Sequence, residues 1–187
     1  MKVIENFLPN AIFKRIKYTV EGVNFQWRRF ENLAGNAVKT SPYKIVDGFS
    51  NILNVREDAA TGIFLPLIDC IADELNTTPH SIMRAHVNLT TPQHGWSTED
   101  LGCPHIDDSE LHIVALFYLD NADGDTVLYN ELGPNVPQEF TVYERITPAP
   151  NKLVLFNGLR FHSANPPLTS RKRIIVNLNF RDTGVFN

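Results

Sequence analysis

Two histidines and one carboxylate are spaced so that they can share an ion. His105 and Asp107 lie two residues apart in Cys103-Pro104-His105-Ile106-Asp107-Asp108, and His162 follows 55 residues after the aspartate. Two imidazoles and a carboxylate can hold a divalent iron on one face and leave the opposite coordination positions open, as non-haem oxygen chemistry requires. His-x-Asp alone is a weak signal, since composition by itself yields about 0.35 such pairs in this chain. Placement makes it informative. Residues two apart in an extended chain point to the same side. The pair stands at the mouth of the apolar run Leu111 to Leu119, and His162 stands just past Leu153-Val154-Leu155-Phe156 and a turn at Asn157-Gly158. A sheet that closes on itself can bring those two ends together. Asp108 is the rival carboxylate, but its odd offset from His105 turns it to the other side.

A second constellation lies near the end of the chain. In Arg171-Lys172-Arg173-Ile174-Ile175-Val176-Asn177-Leu178-Asn179-Phe180, one face carries Ile174, Val176, Leu178 and Phe180, and the other carries Arg171, Arg173, Ile175, Asn177 and Asn179. The second face is too polar for a plain core and suits a pocket wall in which a guanidinium takes a carboxylate bidentately. A charge run is ordinarily a solvated edge device, and Lys172 is read as one. His86, Asn88 and Thr90 share the polar face of an earlier strand and are candidates for the same pocket. His94 and Glu99 imitate a metal motif, but their stretch is expected to be a mobile loop over the pocket, with Trp96 facing substrate. His112 is expected to be packed or outward-facing, and His80 solvated.

The elements that must position these groups follow from periodicity. Ile12, Ile16 and Val20 recur at spacing four, so residues 11 to 21 read as an amphipathic helix ended by Gly22. Ile63 to Leu75 suggests a second helix with Pro66 in or just before its first turn. Phe25, Trp27 and Phe30 are strand-like, and Asn32 to Ser50 reads as irregular. After Pro79 the period changes from near four to two. Ser81 to Thr90, Leu111 to Leu119, Thr126 to Tyr129, Phe140 to Ile146, Lys152 to Phe156 and Arg173 to Phe180 read as strands, separated by turn residues. The expected fold is mainly β with flanking helices (α+β), a double-stranded β-helix of jelly-roll or cupin-like kind, with N-terminal helices packed on its major sheet.

At 187 residues, 43% hydrophobic and 20% charged, the chain suits one domain. Residues 1–80 are expected to be a helical support region and residues 81–187 the β core. A net charge of -4 gives no general field for nucleic acid or anionic membrane, although a local basic groove would escape this argument. No secretory or membrane-spanning stretch is legible, and a reducing cytoplasm is the simplest compartment. Cys70 reads as core packing and Cys103 as loop filler.

Taken together, the order His-x-Asp, a second His some fifty residues on, and an Arg about ten residues further that opens a final strand resembles the iron(II)- and 2-oxoglutarate-dependent dioxygenases. The similarity is to their prolyl 4-hydroxylase-like group, including small oxygenases of phage and marine bacteria. Phe117-Tyr118-Leu119-Asp120 resembles the group's Tyr-Tyr-Leu-Asn, Asp123-Gly124-Asp125-Thr126-Val127-Leu128 resembles Gly-Gly-x-Thr-x-Phe with the first Gly replaced, and His162-Ser163-Ala164 resembles the second-histidine motif. The resemblance covers residues 84–180. It implies His105, Asp107 and His162 as iron ligands, Arg173 on the distal carboxylate of 2-oxoglutarate, and Tyr118 donating its hydroxyl to the same group. Arg171 is the rival arginine. Thr90 stands where the family often has tyrosine, and Asn88 and His86 line the pocket beside it.

The cofactors implied are iron(II), 2-oxoglutarate as cosubstrate and O2, with ascorbate as a further candidate. The implied reaction is decarboxylation of 2-oxoglutarate to succinate and CO2, coupled to hydroxylation of a C–H bond in a peptidyl (prolyl-like) or small-molecule substrate. A non-catalytic cupin-like binding module or sensor is the alternative. A zinc hydrolase is weaker, because no extra base adjoins the ligands in sequence. The loops at 31–60 and 91–104 are expected to select the substrate, and they carry no readable code.

Overall fold

The computed structural model describes residues 1–35, 41–53 and 59–181. Parts of the expected selectivity loop, residues 36–40 and 54–58, lie outside the described residues. Ten strands and two α-helices are described: β1 Lys2–Ile4, α1 Asn10–Glu21, β2 Arg28–Phe30, β3 Gly48–Ile52, α2 Leu65–Glu74, β4 Ile82–Thr90, β5 His112–Tyr118, β6 Thr126–Leu132, β7 Val142–Ile146, β8 Lys152–Asn157, β9 Arg160–Ala164 and β10 Arg173–Arg181. They form a seven-stranded antiparallel sheet ordered β1-β8-β5-β10-β4-β3-β2 and a three-stranded sheet ordered β7-β6-β9. This is the mainly β double-stranded β-helix that the patterning leads one to expect.

Strand β5 shows why the strand sequences are so apolar. Its odd residues Ile113, Ala115 and Phe117 join the core shared with the helices, and its even residues Val114, Leu116 and Tyr118 join a second core with Leu128 of β6 and Ile146 of β7. A strand buried on both faces reads as a continuous hydrophobic run rather than an alternation. The helices supply the outer cover. Phe13, Ile16 and Val20 of α1 and Leu67, Ile68, Ile71 and Ala72 of α2 are buried against that sheet. Phe13 and Phe7 meet the ring of Phe117 edge-on. Pro66 sits in the first turn of α2, where its missing N–H has no helical partner to lose. Cys70 is half-buried and packs against this core.

Three features differ from the sequence expectation. The first eighty residues are more than a helical support, because β1 pairs with β8 and the β2-β3 hairpin extends the major sheet beyond β4. Gly48–Ile52 falls partly within the stretch read as irregular; a five-residue edge strand opening on glycine has too little period to announce itself. His162 follows β8 and the turn after it, but it lies inside a further short strand, β9, which pairs with β6. Finally, Phe180 opposes Ile82 and Asn179 opposes Arg84, so Met83 is an extra residue, a β-bulge. The bulge explains why Ile82 and Ala85, three apart, both enter the helix-side core. Before the bulge the alternation is regular and sets Arg84, His86, Asn88 and Thr90 on the opposite face, across from Asn179, Asn177, Ile175 and Arg173.

Candidate metal centre and inner cavity

The two histidines are brought together by main chain. His105 N–H donates to His162 O and His162 N–H donates to His105 O, each at 2.9 Å. This single antiparallel bridge adds the 103–105 segment to the edge of the minor sheet beside β9. His105 and Asp107 therefore precede β5 rather than open it. Gly102 lets the segment approach, since a Cβ there would stand 2.3 Å from Ala164 O.

The side chains converge in a way that suits a cation. Ligand atoms of His105, Asp107 and His162 all lie within 4.8 Å of one another. His105 Nε2 is 4.0 Å from Asp107 Oδ1, and His162 Nε2 is 3.9 Å from Asp107 Oδ2. His105 Nδ1 lies 3.2 Å from Cys103 O and His162 Nδ1 lies 3.1 Å from Arg160 O. A carbonyl can only accept, so each Nδ1 carries the proton and each Nε2 turns its lone pair to the shared space. Burial holds both imidazoles neutral; His162 is pushed down to about 4 by burial and by the neighbouring His105. Burial alone would raise Asp107. His162, Arg84 and His105, with a hydrogen bond from Asn179, outweigh burial and hold the carboxyl well below its usual range. Two neutral imidazoles and a carboxylate at neutral pH are the donor set that iron(II) takes.

Arg84 was not singled out by the sequence reading. Its Nη1 donates to Asp107 Oδ1 at 3.1 Å, and its Nε reaches Nε2 of His86 at 3.3 Å. The slip in the β4 alternation was the one available signal. His86 itself is lowered to about 4 by burial and by Arg84.

Behind the triad lies a cavity lined by Asn88, Thr90, Cys103, Leu116, Thr126 and Arg173, with His105 and His162 at its mouth. Arg173 is 2% exposed, donates from Nη2 to Thr126 Oγ1 at 2.7 Å, and keeps a buried Nε without a partner. Thr90 Oγ1 is likewise buried and unpartnered. Asn88 Oδ1 accepts from Ser50 Oγ at 2.7 Å, which commits the carbonyl end of that amide. Tyr118 is placed differently from the expectation. Its hydroxyl donates to Thr126 Oγ1 at 2.7 Å and its ring lies under the Arg173 guanidinium, so it supports the cavity wall from behind. Thr126 accepts from both Tyr118 and Arg173, and its own hydroxyl proton remains to be donated. Arg171 is exposed ahead of β10 and lines no described cavity. The Tyr118, Thr126 and Arg173 side chains thus form one unit, of which only the last two face the cavity.

An open cleft beside the triad is lined by the apolar residues Leu33, Ile106, Pro134, Val136 and Phe161 and by the charged residues Arg84, Asp107 and Asp108. The loop expected to be mobile is tied down: Lys44 donates to Gly95 O, pairs with Asp100 and lies over the Trp96 ring. Trp96 lines neither the cavity nor the cleft. His112 is buried, and its ring packs on Gly158.

No family model and no curated protein matches this sequence. Solved structures do match. A prolyl hydroxylase from Trichoplax adhaerens, in complex with a peptide fragment of the hypoxia-inducible factor oxygen degradation domain, has a TM-score of 0.63 at 19% identity, covering 98% of this chain and 84% of that one. A prolyl 4-hydroxylase from Pseudomonas putida has a TM-score of 0.58 at 16% identity, covering 98% and 92%. The non-haem α-ketoglutarate-dependent epimerase SnoN of nogalamycin biosynthesis has a TM-score of 0.62 at 13% identity, covering 97% and 81%. This chain has the fold of the prolyl hydroxylases and other 2-oxoglutarate-iron(II) oxygenases.

Proposed function

We propose that the protein is an iron(II)- and 2-oxoglutarate-dependent oxygenase that hydroxylates a C–H bond of a peptidyl or small-molecule substrate. The observation that carries the reading is one arrangement: a neutral His, His and carboxylate set at the mouth of a cavity whose floor holds a buried guanidinium with an unpartnered Nε. A buried arginine without an anion is costly, so its natural occupant is a ligand carboxylate. Only a ligand with a second carboxylate or keto group at its other end gives the floor and the mouth a common purpose.

His105, Asp107 and His162 would hold the metal and leave three positions open. Arg173 and Thr126 would take the distal carboxylate, Arg173 by a forked pair of N–H groups and Thr126 by its free hydroxyl proton. Thr90 and the Asn88 amide donors would line the cosubstrate's flank. Bound together, iron and 2-oxoglutarate would supply oxidation by O2 with release of succinate and CO2. Leu116 and Ile175 add apolar wall to the inner cavity. The cleft admits substrate past Arg84 to the open side of the triad.

The test is anaerobic titration of the protein with iron(II) and 2-oxoglutarate. The expected result is a weak visible band near about 500 nm, a signature of the keto acid chelating iron, followed by O2-dependent succinate. A folded protein that binds iron with neither the band nor succinate is instead a cupin-like binding module.

A further inference from the structure

The Asp107 carboxylate is more fully bonded than ion binding by itself requires. Asn177 Nδ2 and Asn179 Nδ2 both donate to Oδ2, at 3.0 and 2.9 Å. Arg84 Nη1 donates to Oδ1 at 3.1 Å. A carboxylate oxygen offers two lone pairs, so the two amides occupy both of those on Oδ2, which lies 3.9 Å from His162 Nε2, whereas Oδ1, 4.0 Å from His105 Nε2, keeps one. The two asparagines lie two apart on β10 and so share the cavity face, and the regular register that runs up to the bulge places Arg84 opposite Asn179. Both amides are buried, and each leaves its own Oδ1 without a partner. Two unsatisfied buried carbonyls are a poor arrangement for stability alone, and the orientation that causes them is the one that delivers both N–H groups to Asp107.

We infer that Asn177, Asn179 and Arg84 are positioning residues that restrict Asp107 to one-toothed metal ligation through Oδ1. The inference rests on the metal-centre reading above. A carboxylate free to rotate would take a divalent ion with both oxygens and fill a coordination position that the reaction needs open. The two amides prevent that by closing Oδ2, and Arg84 fixes the rotation by holding one lone pair of Oδ1. The three residues act on the metal through Asp107.

The experiment uses Mn(II) alone as the probe, because it is stable in air and its bound waters are counted by water-proton relaxation. The wild-type chain should bind Mn(II) with three inner-sphere waters, the number left by three single-toothed protein ligands on a six-coordinate ion. Asn177→Leu/Asn179→Leu should bind Mn(II) at least as tightly but with two waters. Addition of 2-oxoglutarate to that variant should then displace fewer waters, with its affinity lowered about tenfold or more. Asn177→Leu alone is the second variant should the pair not fold, and it is expected to give a water count between those values. Three waters in a folded variant would overturn the inference. Failure of the wild-type chain to bind Mn(II) would instead overturn the metal-centre reading.

Discussion

Arg173→Met separates a ligand-binding arginine from a structural one. The guanidinium is 2% exposed, spends one N–H on Thr126 and has a buried Nε with no partner. Truncating one member of a buried charged pair costs about 2–5 kcal/mol, so affinity for 2-oxoglutarate should fall about 30-fold to several thousandfold at about 1.4 kcal/mol per decade. The same substitution should cost the ligand-free protein no more than about 1.5–3 kcal/mol, the worth of one hydrogen bond from a charged group to Thr126. It also removes a buried charge whose desolvation outweighs the help it has from Tyr118 and Asp125, so the ligand-free protein can even gain stability. A thermodynamic cycle makes this sharp. Dissociation constants for 2-oxoglutarate and for 2-oxovalerate, which ends in methyl instead of carboxylate, would be measured anaerobically on the iron(II) forms of wild type and variant. Wild type should prefer 2-oxoglutarate by the factor above, and Arg173→Met should lose the preference. Arg171→Ala, at an exposed position, should keep it within about twofold. An unchanged preference in Arg173→Met, or its loss in Arg171→Ala, would refute the assignment.

Four further outcomes follow from the same geometry. Thr126→Val removes the hydroxyl that accepts from Tyr118 and Arg173, and should weaken 2-oxoglutarate binding by about 1–3 kcal/mol. Tyr118→Phe acts one contact further back and should cost less than Thr126→Val in the same titration. The metal-free protein should lose stability as pH falls from about 6.5 towards about 4 and be indifferent to these groups above that window. His86 and His162 are neutral in the fold down to about 4, whereas in the unfolded chain they take up protons already near their ordinary value. Urea unfolding at several pH values checks this, and a slope of opposite sign would contradict it. For the same reason, Mn(II) binding at pH 7 should release almost no protons, read by calorimetry in buffers of differing ionisation enthalpy.

What was legible in the sequence was whatever is written in one strand at a time. The β5 run and the alternating β10 face could be read because side-chain type and local period carry them, whereas the approach of His162 to His105 and Asp107 depends on a main-chain bridge between distant segments. What was missed is written between strands. The five residues of β9 follow β8 after only Gly158 and Leu159, and their strand character comes from pairing with β6 rather than from composition. Arg84 carries no local signal of its place beside Asp107, since the Met83 bulge and the facing residue Asn179 are visible only once β10 provides a register. Tyr118 was assigned to the ligand itself, but the even face of β5 lies deep between the two sheets. Its hydroxyl reaches Thr126, and Thr126 holds the place at the cavity wall. Sequence order cannot tell a side chain that touches a ligand from one that stands behind it.

The spacing of the two imidazoles depends on backbone, and that makes a last substitution informative. His105 and His162 face each other across a reciprocal pair of main-chain hydrogen bonds, an arrangement that fixes their Cα separation near about 5.5 Å. The pair forms only because Gly102 lets the chain lie against β9. A methyl group at residue 102 would stand 2.3 Å from Ala164 O, and a backbone oxygen in a paired strand cannot swing aside as a side-chain tip can. Gly102→Ala must therefore lift the 102–105 segment, at a cost of about 1–3 kcal/mol in stability, and the lift moves His105 away from His162. Metal affinity of the folded protein should fall about tenfold or more. Leu67→Ala, fully buried in α2 beneath the far face of the major sheet, should cost as much or more in stability, about 2–5 kcal/mol, yet leave metal affinity within about twofold. If the two variants lose metal affinity in proportion to their loss of stability, the ligands are held by general packing, and the backbone pair has no special part in placing them.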